Sequence, residues 1–184
     1  MKKRCEWANK EPNILYHDEE WGKPEHNEQK LFEFLILEGA QAGLSWITIL
    51  KRRTGYRKAF LNFAPKKVAK FNETDILKLL NDKSIIRNRL KIASAINNAK
   101  QFLKIQKEFG SFDKYVWQFV KYKPIKNNFK NSSNLPASTA ISKKLSIDLK
   151  KRGFTFVGPT ICYAFMQAIG MVNDHTSDCF LYKK

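Results

Sequence analysis

Apolar and polar positions follow a helical period along most of this chain. Leu31, Leu35, Glu38 and Ala42 recur at steps of four, three and four, one stripe of a 3.6-residue helix. Gly39 and Gly43 loosen that helix toward its end, and Ser45-Trp46-Ile47-Thr48-Ile49-Leu50 opens a second apolar segment. Asn72 and Thr74 are candidate caps for a helix over 75–80 with an acidic first turn. Ile92, Ile96, Ala99 and Leu103 repeat the same steps on a long helix that ends near Gly110, and Phe112, Val116 and Phe119 continue the period. Residues 123–136, rich in Lys and Asn and bounded by Pro, read as a basic loop. Ser138 is a candidate cap for a helix that carries Leu145 and Leu149 and stops at Gly153. Pro159 suits the first turn of a last helix, closed by Gly170. Residues 154–157 have an extended look but are too short to found a sheet. The pattern predicts an all-α fold forming a single unit over 1–184, with a helical body over about 28–170.

Composition narrows the class. An apolar fraction of 43%, with 14 Phe, 6 Tyr and 4 Trp, excludes a disordered chain despite the charge. The longest apolar runs, such as Phe34-Leu35-Ile36-Leu37, are far too short to span a membrane. The basic start Met1-Lys2-Lys3-Arg4 is followed by Cys5-Glu6-Trp7, where a signal peptide needs an apolar stretch. A soluble, cytoplasmic, monomeric protein with reduced cysteines is expected.

The charge is unevenly spread. Residues 1–38 hold six basic and nine acidic side chains, whereas the rest holds 28 and 8. The net charge of +17 therefore belongs entirely to the body of the chain, which suits a polyanion such as nucleic acid. A Lys-rich proteome would produce the same excess without any such partner.

Glu38 is the most informative single residue, because its stripe faces a core and withdraws the carboxylate from water. Such a group needs a cation, hydrogen-bond donors or a proton. It is either a structural ion-pair partner or a functional acceptor. Trp7, Tyr16, Trp21 and Trp46 lie close by in the sequence and supply flat faces of the kind that stack on an extruded base, although aromatics also serve as plain core.

Cys5 and His17 lie near one end of the chain, His175 and Cys179 near the other. One helical turn between His175 and Cys179 would put both on one face, and two thiolates with two imidazoles close a tetrahedral Zn²⁺ shell. The spacing is not that of a standard zinc finger, so a buried Cys5 with unrelated histidines explains the same residues. Between the helix around Ile76–Leu80 and the long helix, Ile85-Ile86-Arg87-Asn88-Arg89-Leu90-Lys91-Ile92 reads as a hairpin near 84–91. Ile86, Arg87, Asn88, Arg89 and Lys91 are its candidate DNA contacts, since a helix N-terminus with free amides receives a phosphate without reading sequence.

Several of these motifs stand together in order: Cys5-Glu6-Trp7, Tyr16-His17-Asp18-Glu19-Glu20-Trp21-Gly22, Leu37-Glu38-Gly39-Ala40-Gln41-Ala42-Gly43-Leu44-Ser45-Trp46, Ile85 to Arg89, and Lys150 through Tyr163. In this order the chain resembles the DNA-3-methyladenine glycosylase I family over nearly its whole length. The resemblance implies a helix–hairpin–helix DNA glycosylase fold and a base-excision-repair enzyme acting on double-stranded DNA that contains alkylated bases. It also implies a structural zinc held by Cys5, His17, His175 and Cys179, which packs the terminal segments 1–27 and 171–184 together. Glu38 and Tyr16 match the family's catalytic positions, and Trp46, Trp7 and Trp21 its base-binding walls. Asn13 stands where some members carry an aromatic, and Ser84 where a glycine is usual. In this reading a flipped, cationic 3-methyladenine stacks on Trp46, and an ionised Glu38, oriented by Tyr16, accepts a hydrogen bond from its exocyclic amine. A non-catalytic helix–hairpin–helix DNA-binding protein is the alternative, but it leaves Glu38 and the aromatics idle. A zinc hydrolase needs a vacant metal position that four protein ligands do not leave.

Overall fold

The computed structural model describes residues 2–182, so Met1, Lys183 and Lys184, at the outer ends of the two terminal segments, lie outside the described residues. Ten α-helices are described: α1 (Asn13–Glu19), α2 (Glu28–Gln41), α3 (Trp46–Leu50), α4 (Arg53–Ala59), α5 (Pro65–Val68), α6 (Glu73–Asn81), α7 (Arg89–Phe109), α8 (Phe112–Trp117), α9 (Ala140–Lys151) and α10 (Pro159–Ala168). Helix α2 starts where the Asn27 side chain accepts from the amides of Gln29 and Lys30. Every residue from Leu31 to Ala40 is buried, more than the single stripe expected from periodicity. The reason is tertiary: α7, α8 and α10 pack around α2, so the helix is enclosed rather than half-exposed.

The other boundaries follow local chemistry. Asn72 caps α6 in a reciprocal capping box with Asp75, and α7 ends at Gly110, whose φ of +85° suits a glycine. The cap of α9 is Thr139, not Ser138, because the Thr139 and Ser142 side chains satisfy each other's backbone amides. The period through Phe112 and Val116 belongs to a separate short helix, α8, rather than to a continuation of α7. Residues 154–157 form bends and no strand. Within the basic loop, β1 (Ile125–Lys126) pairs in parallel with β2 (Val172–Asn173), a two-residue staple in an otherwise all-α fold.

The two ends of the chain meet. Gly22 donates its amide to Gln167 and Glu25 donates to Ile169, so the segment after α1 lies along the end of α10. Gly170 makes this possible: at φ +71° a Cβ there would lie 2.2 Å from the Lys23 carbonyl carbon. Phe180 donates its amide to the Lys3 carbonyl at 2.9 Å.

Candidate active site

A cavity of about 370 Å³ opens beside the C-terminal half of α2. Trp7, Tyr16, Trp21, Glu38 and Trp46, five candidates from four separate segments, all line it, along with Asn13, Gln41, Ser45, Ile47, Leu135, Ala164 and Gln167. Tyr16 and Trp46 form one tilted pair with ring centroids 5.3 Å apart, and Trp7 meets Trp21 edge-on at 5.0 Å. Gln167, a polar position on the mainly apolar helix α10, and Leu135 from the basic loop have no periodic signal that would mark them in the sequence.

Glu38 is buried, and no protein hydrogen bond reaches its carboxylate among the described residues. Burial alone pushes its pKa up to about 8 from an ordinary 4.5. Desolvation therefore favours the protonated form of this carboxyl group. Desolvation, reinforced by the neighbouring Glu38, holds the Tyr16 phenol well above its usual range, so it stays a neutral hydroxyl. Two further polar atoms in the lining are buried without a partner: Asn13 Oδ1 and Trp46 Nε1.

The far side of Trp7 and Trp21 meets the Cys–His cluster. Trp7 lies edge-on to His17 at 5.3 Å and Trp21 edge-on to His175 at 4.7 Å. The ligand atoms of Cys5, His17 and Cys179 all lie within 4.8 Å of one another, and Cys179 Sγ is 3.5 Å from His17 Nε2. His175 packs edge-on to His17 at 4.9 Å, and its Nε2 is buried with no hydrogen-bond partner. Each imidazole is oriented through its other nitrogen, His17 Nδ1 by Asp18 and His175 Nδ1 by Asn173, at 2.8 and 2.9 Å. Burial lowers the pKa of both rings, that of His175 to about 4, and pushes the Cys5 thiol up to about 11. Two neutral imidazoles, two buried thiols and an orphaned ring nitrogen fit a tetrahedral Zn²⁺ site. The expected helical turn between His175 and Cys179 is absent: irregular turns after β2 present both. Gly22 has to be a glycine here, since a Cβ would lie 2.8 Å from His175 Cε1.

The hairpin candidates scatter in role. Residues 82–88 form the turn between α6 and α7, seated against Gly55, where a Cβ would lie 2.5 Å from the Ser84 carbonyl oxygen. The Ile86 amide donates to Tyr56 Oη at 3.3 Å. Asn88 caps α7, accepting from the Lys91 amide. Arg87 is exposed, and Arg89 pairs with Glu73 at the surface. Lys91 is placed differently from the expectation. Its Nζ donates to Ala40 O at 2.8 Å and Ala42 O at 2.6 Å, closing the C-terminus of α2, and burial lowers its pKa. That ammonium is engaged by helix-end carbonyls rather than presented to a phosphate.

The comparisons with known proteins agree with this geometry. The family model for methyladenine glycosylase matches residues 7–182. A DNA-3-methyladenine glycosylase 1 of Escherichia coli is 50% identical, with 97% of this chain and 96% of that protein covered. A crystal structure of 3-methyladenine DNA glycosylase I superimposes with a TM-score of 0.95 at 48% identity, covering 97% of this chain and 99% of that one. Another, of a variant in complex with 3-methyladenine, gives 0.94 at 37% identity over 98% of this chain and 97% of that one. The chain belongs to the methyladenine glycosylase family.

Proposed function

We propose that this protein is a base-excision-repair glycosylase that hydrolyses the N-glycosidic bond of 3-methyladenine in alkylated double-stranded DNA. The observation that carries this reading is Glu38: a buried carboxyl group without a protein partner, facing a cavity walled by four aromatic side chains. N3-methylation gives the base a positive charge and makes it a good leaving group. The base leaves the stack and enters the cavity, where aromatic faces favour a cation and Trp46 stacks on it. The incoming charge favours the ionised form of Glu38, whose proton passes to solvent as the base enters, and the carboxylate accepts from the exocyclic amine while Tyr16 orients the contact. Water adds to C1′ of the deoxyribose as the C1′–N9 bond breaks. The bonding pair returns to the base and neutralises it, and the water's spare proton leaves to solvent. Neutral, paired adenine costs more to extract and gains less inside, so selection is differential binding.

Cys5, His17, His175 and Cys179 would hold a zinc ion that ties the two ends of the chain together and stiffens the Trp7–Trp21 wall. The turn at 82–88 would act as a helix–hairpin–helix contact, with Arg87 and Arg89 meeting the DNA backbone and the exposed basic body adding unspecific attraction. The protein would act as a monomer in the cytoplasm, where bacterial DNA lies; no described helix is long and apolar enough to cross a membrane. Incubation with methylated duplex DNA and chromatography of the released bases tests the reading: 3-methyladenine is expected, and retention of all methylated bases by the DNA would overturn it.

A further inference from the structure

Glu38 on α2 and Trp46 at the start of α3 both line the cavity, and the chain between them leaves α2 through the turn 42–45. That turn has little to hold it. Gly43, Leu44 and Ser45 are exposed, and a Cβ on Gly43, at φ +75°, would meet nothing within 4 Å. Among the described residues, the hydrogen bonds of 42–45 are local, reaching only Gly39, Gln41 and Thr48, apart from those made by Lys91. The Lys91 Nζ donates to Ala42 O at 2.6 Å and to Ala40 O at 2.8 Å, so it grips the end of α2 and the start of the turn together. Lys91 is in turn fixed by the hairpin. It lies in the first turn of α7, and its amide donates to the Asn88 side chain at 3.1 Å. A single residue thus ties the hairpin to the segment that joins two cavity groups.

We propose that Lys91 is a positioning residue for base excision, its ammonium holding the 42–45 turn, and with it the Trp46 side of the cavity, in register with the duplex gripped by the hairpin. Without that tie the exposed turn is free to shift, and Trp46 shifts with it, although no group that touches the base has been altered. A displacement of about 1 Å at a reacting site can cost on the order of 100-fold in rate. A lysine at a helix C-terminus is also an ordinary cap. A plain cap, however, stabilises the fold and leaves the turnover of folded protein unchanged. The inference deepens the proposed function and rests on it.

Lys91→Met keeps the apolar stem and removes the donors, whereas Lys91→Arg keeps donors able to reach both carbonyls. Single-turnover excision from methylated duplex DNA, and binding of undamaged duplex over a salt series, are measured on the full chain where each variant is folded. Lys91→Met is expected to lose about tenfold in excision rate. Its affinity for undamaged duplex and the salt slope should stay at the wild-type values, and Lys91→Arg should recover most of the rate. A rate within twofold of wild type in Lys91→Met overturns the inference and leaves a plain cap. So does a reduced salt slope with weaker duplex binding, since Lys91 would then be a phosphate contact. Failure of Lys91→Arg to excise faster than Lys91→Met overturns it as well. Should the Met variant not fold, Lys91→Gln takes its place under the same criteria. Wild-type release of 3-methyladenine, followed in parallel, separates failure of this inference from failure of the proposed reaction.

Discussion

Helix α2 carries two buried glutamates five positions apart, Glu33 at 6% exposure and Glu38 at 4%, and they have opposite fates. Five residues turn about 140° around a helix, so the two side chains face different surroundings. Glu33 accepts from Arg53 Nε at 2.6 Å and Arg57 Nε at 2.9 Å, and Arg53 also grips Glu20 with two bonds. Glu38 has no such partner and faces the cavity. Burial therefore does not distinguish structural from functional carboxylates; partner supply does. The Glu33 carboxylate is matched by two guanidinium groups, while Glu38 has no such partner among the described residues.

Substitutions at the two positions sharpen this contrast. The largest effect on stability is expected from Glu33→Gln, which removes the carboxylate that Arg53 and Arg57 share while Arg53 keeps Glu20, and loses about 1–3 kcal/mol in chemical denaturation. Base binding measured below the transition should be unchanged. Glu38→Gln is expected to do the reverse: about a 100-fold loss in 3-methyladenine excision with the fold kept. Because the folded chain holds the Glu38 proton from its unfolded value near 4.5 up to about 8, its stability cost is absent at low pH and grows across that window. Glu38→Gln should therefore be more stable than wild type at pH 8.5 and equal to it at pH 4; equal stability at both would contradict the open, partnerless carboxyl.

A third measurement uses the same titration. In wild type kcat/KM on methylated DNA should rise about tenfold per pH unit toward a plateau near pH 8, since the cationic base needs the ionised carboxylate. The Gln variant should lose that slope. The smallest effect is expected at the hairpin. Arg87→Ala should weaken duplex DNA binding a few-fold and reduce its salt dependence by about one counterion, without altering free-base binding.

Local signals in the sequence carried much of the fold. The Asn72 cap, the glycine stop at Gly110 and the Pro159 start depend on backbone chemistry within a few residues, and they fall where the pattern puts them. The Thr139 cap shows the margin: neighbouring hydroxyl residues compete, and the reciprocal bond to Ser142 selects one. Lys91 reads as a surface cation of a basic hairpin until α2 and α7 pack, and the end of α2 then takes its ammonium.

What the sequence determined by itself was an all-α chain, a buried carboxyl on an apolar stripe, and an order of motifs specific enough to indicate a family. Periodicity and caps act over one or two helical turns, and linear order survives without coordinates. Tertiary structure alone decided that Glu33 is paired and Glu38 is not, that Trp7 and Trp21 form a wall shared between the cavity and the Cys–His cluster, and that the Asn13 oxygen is left without a donor. Each of these depends on which groups from distant segments come within hydrogen-bond reach. No local pattern encodes that distance.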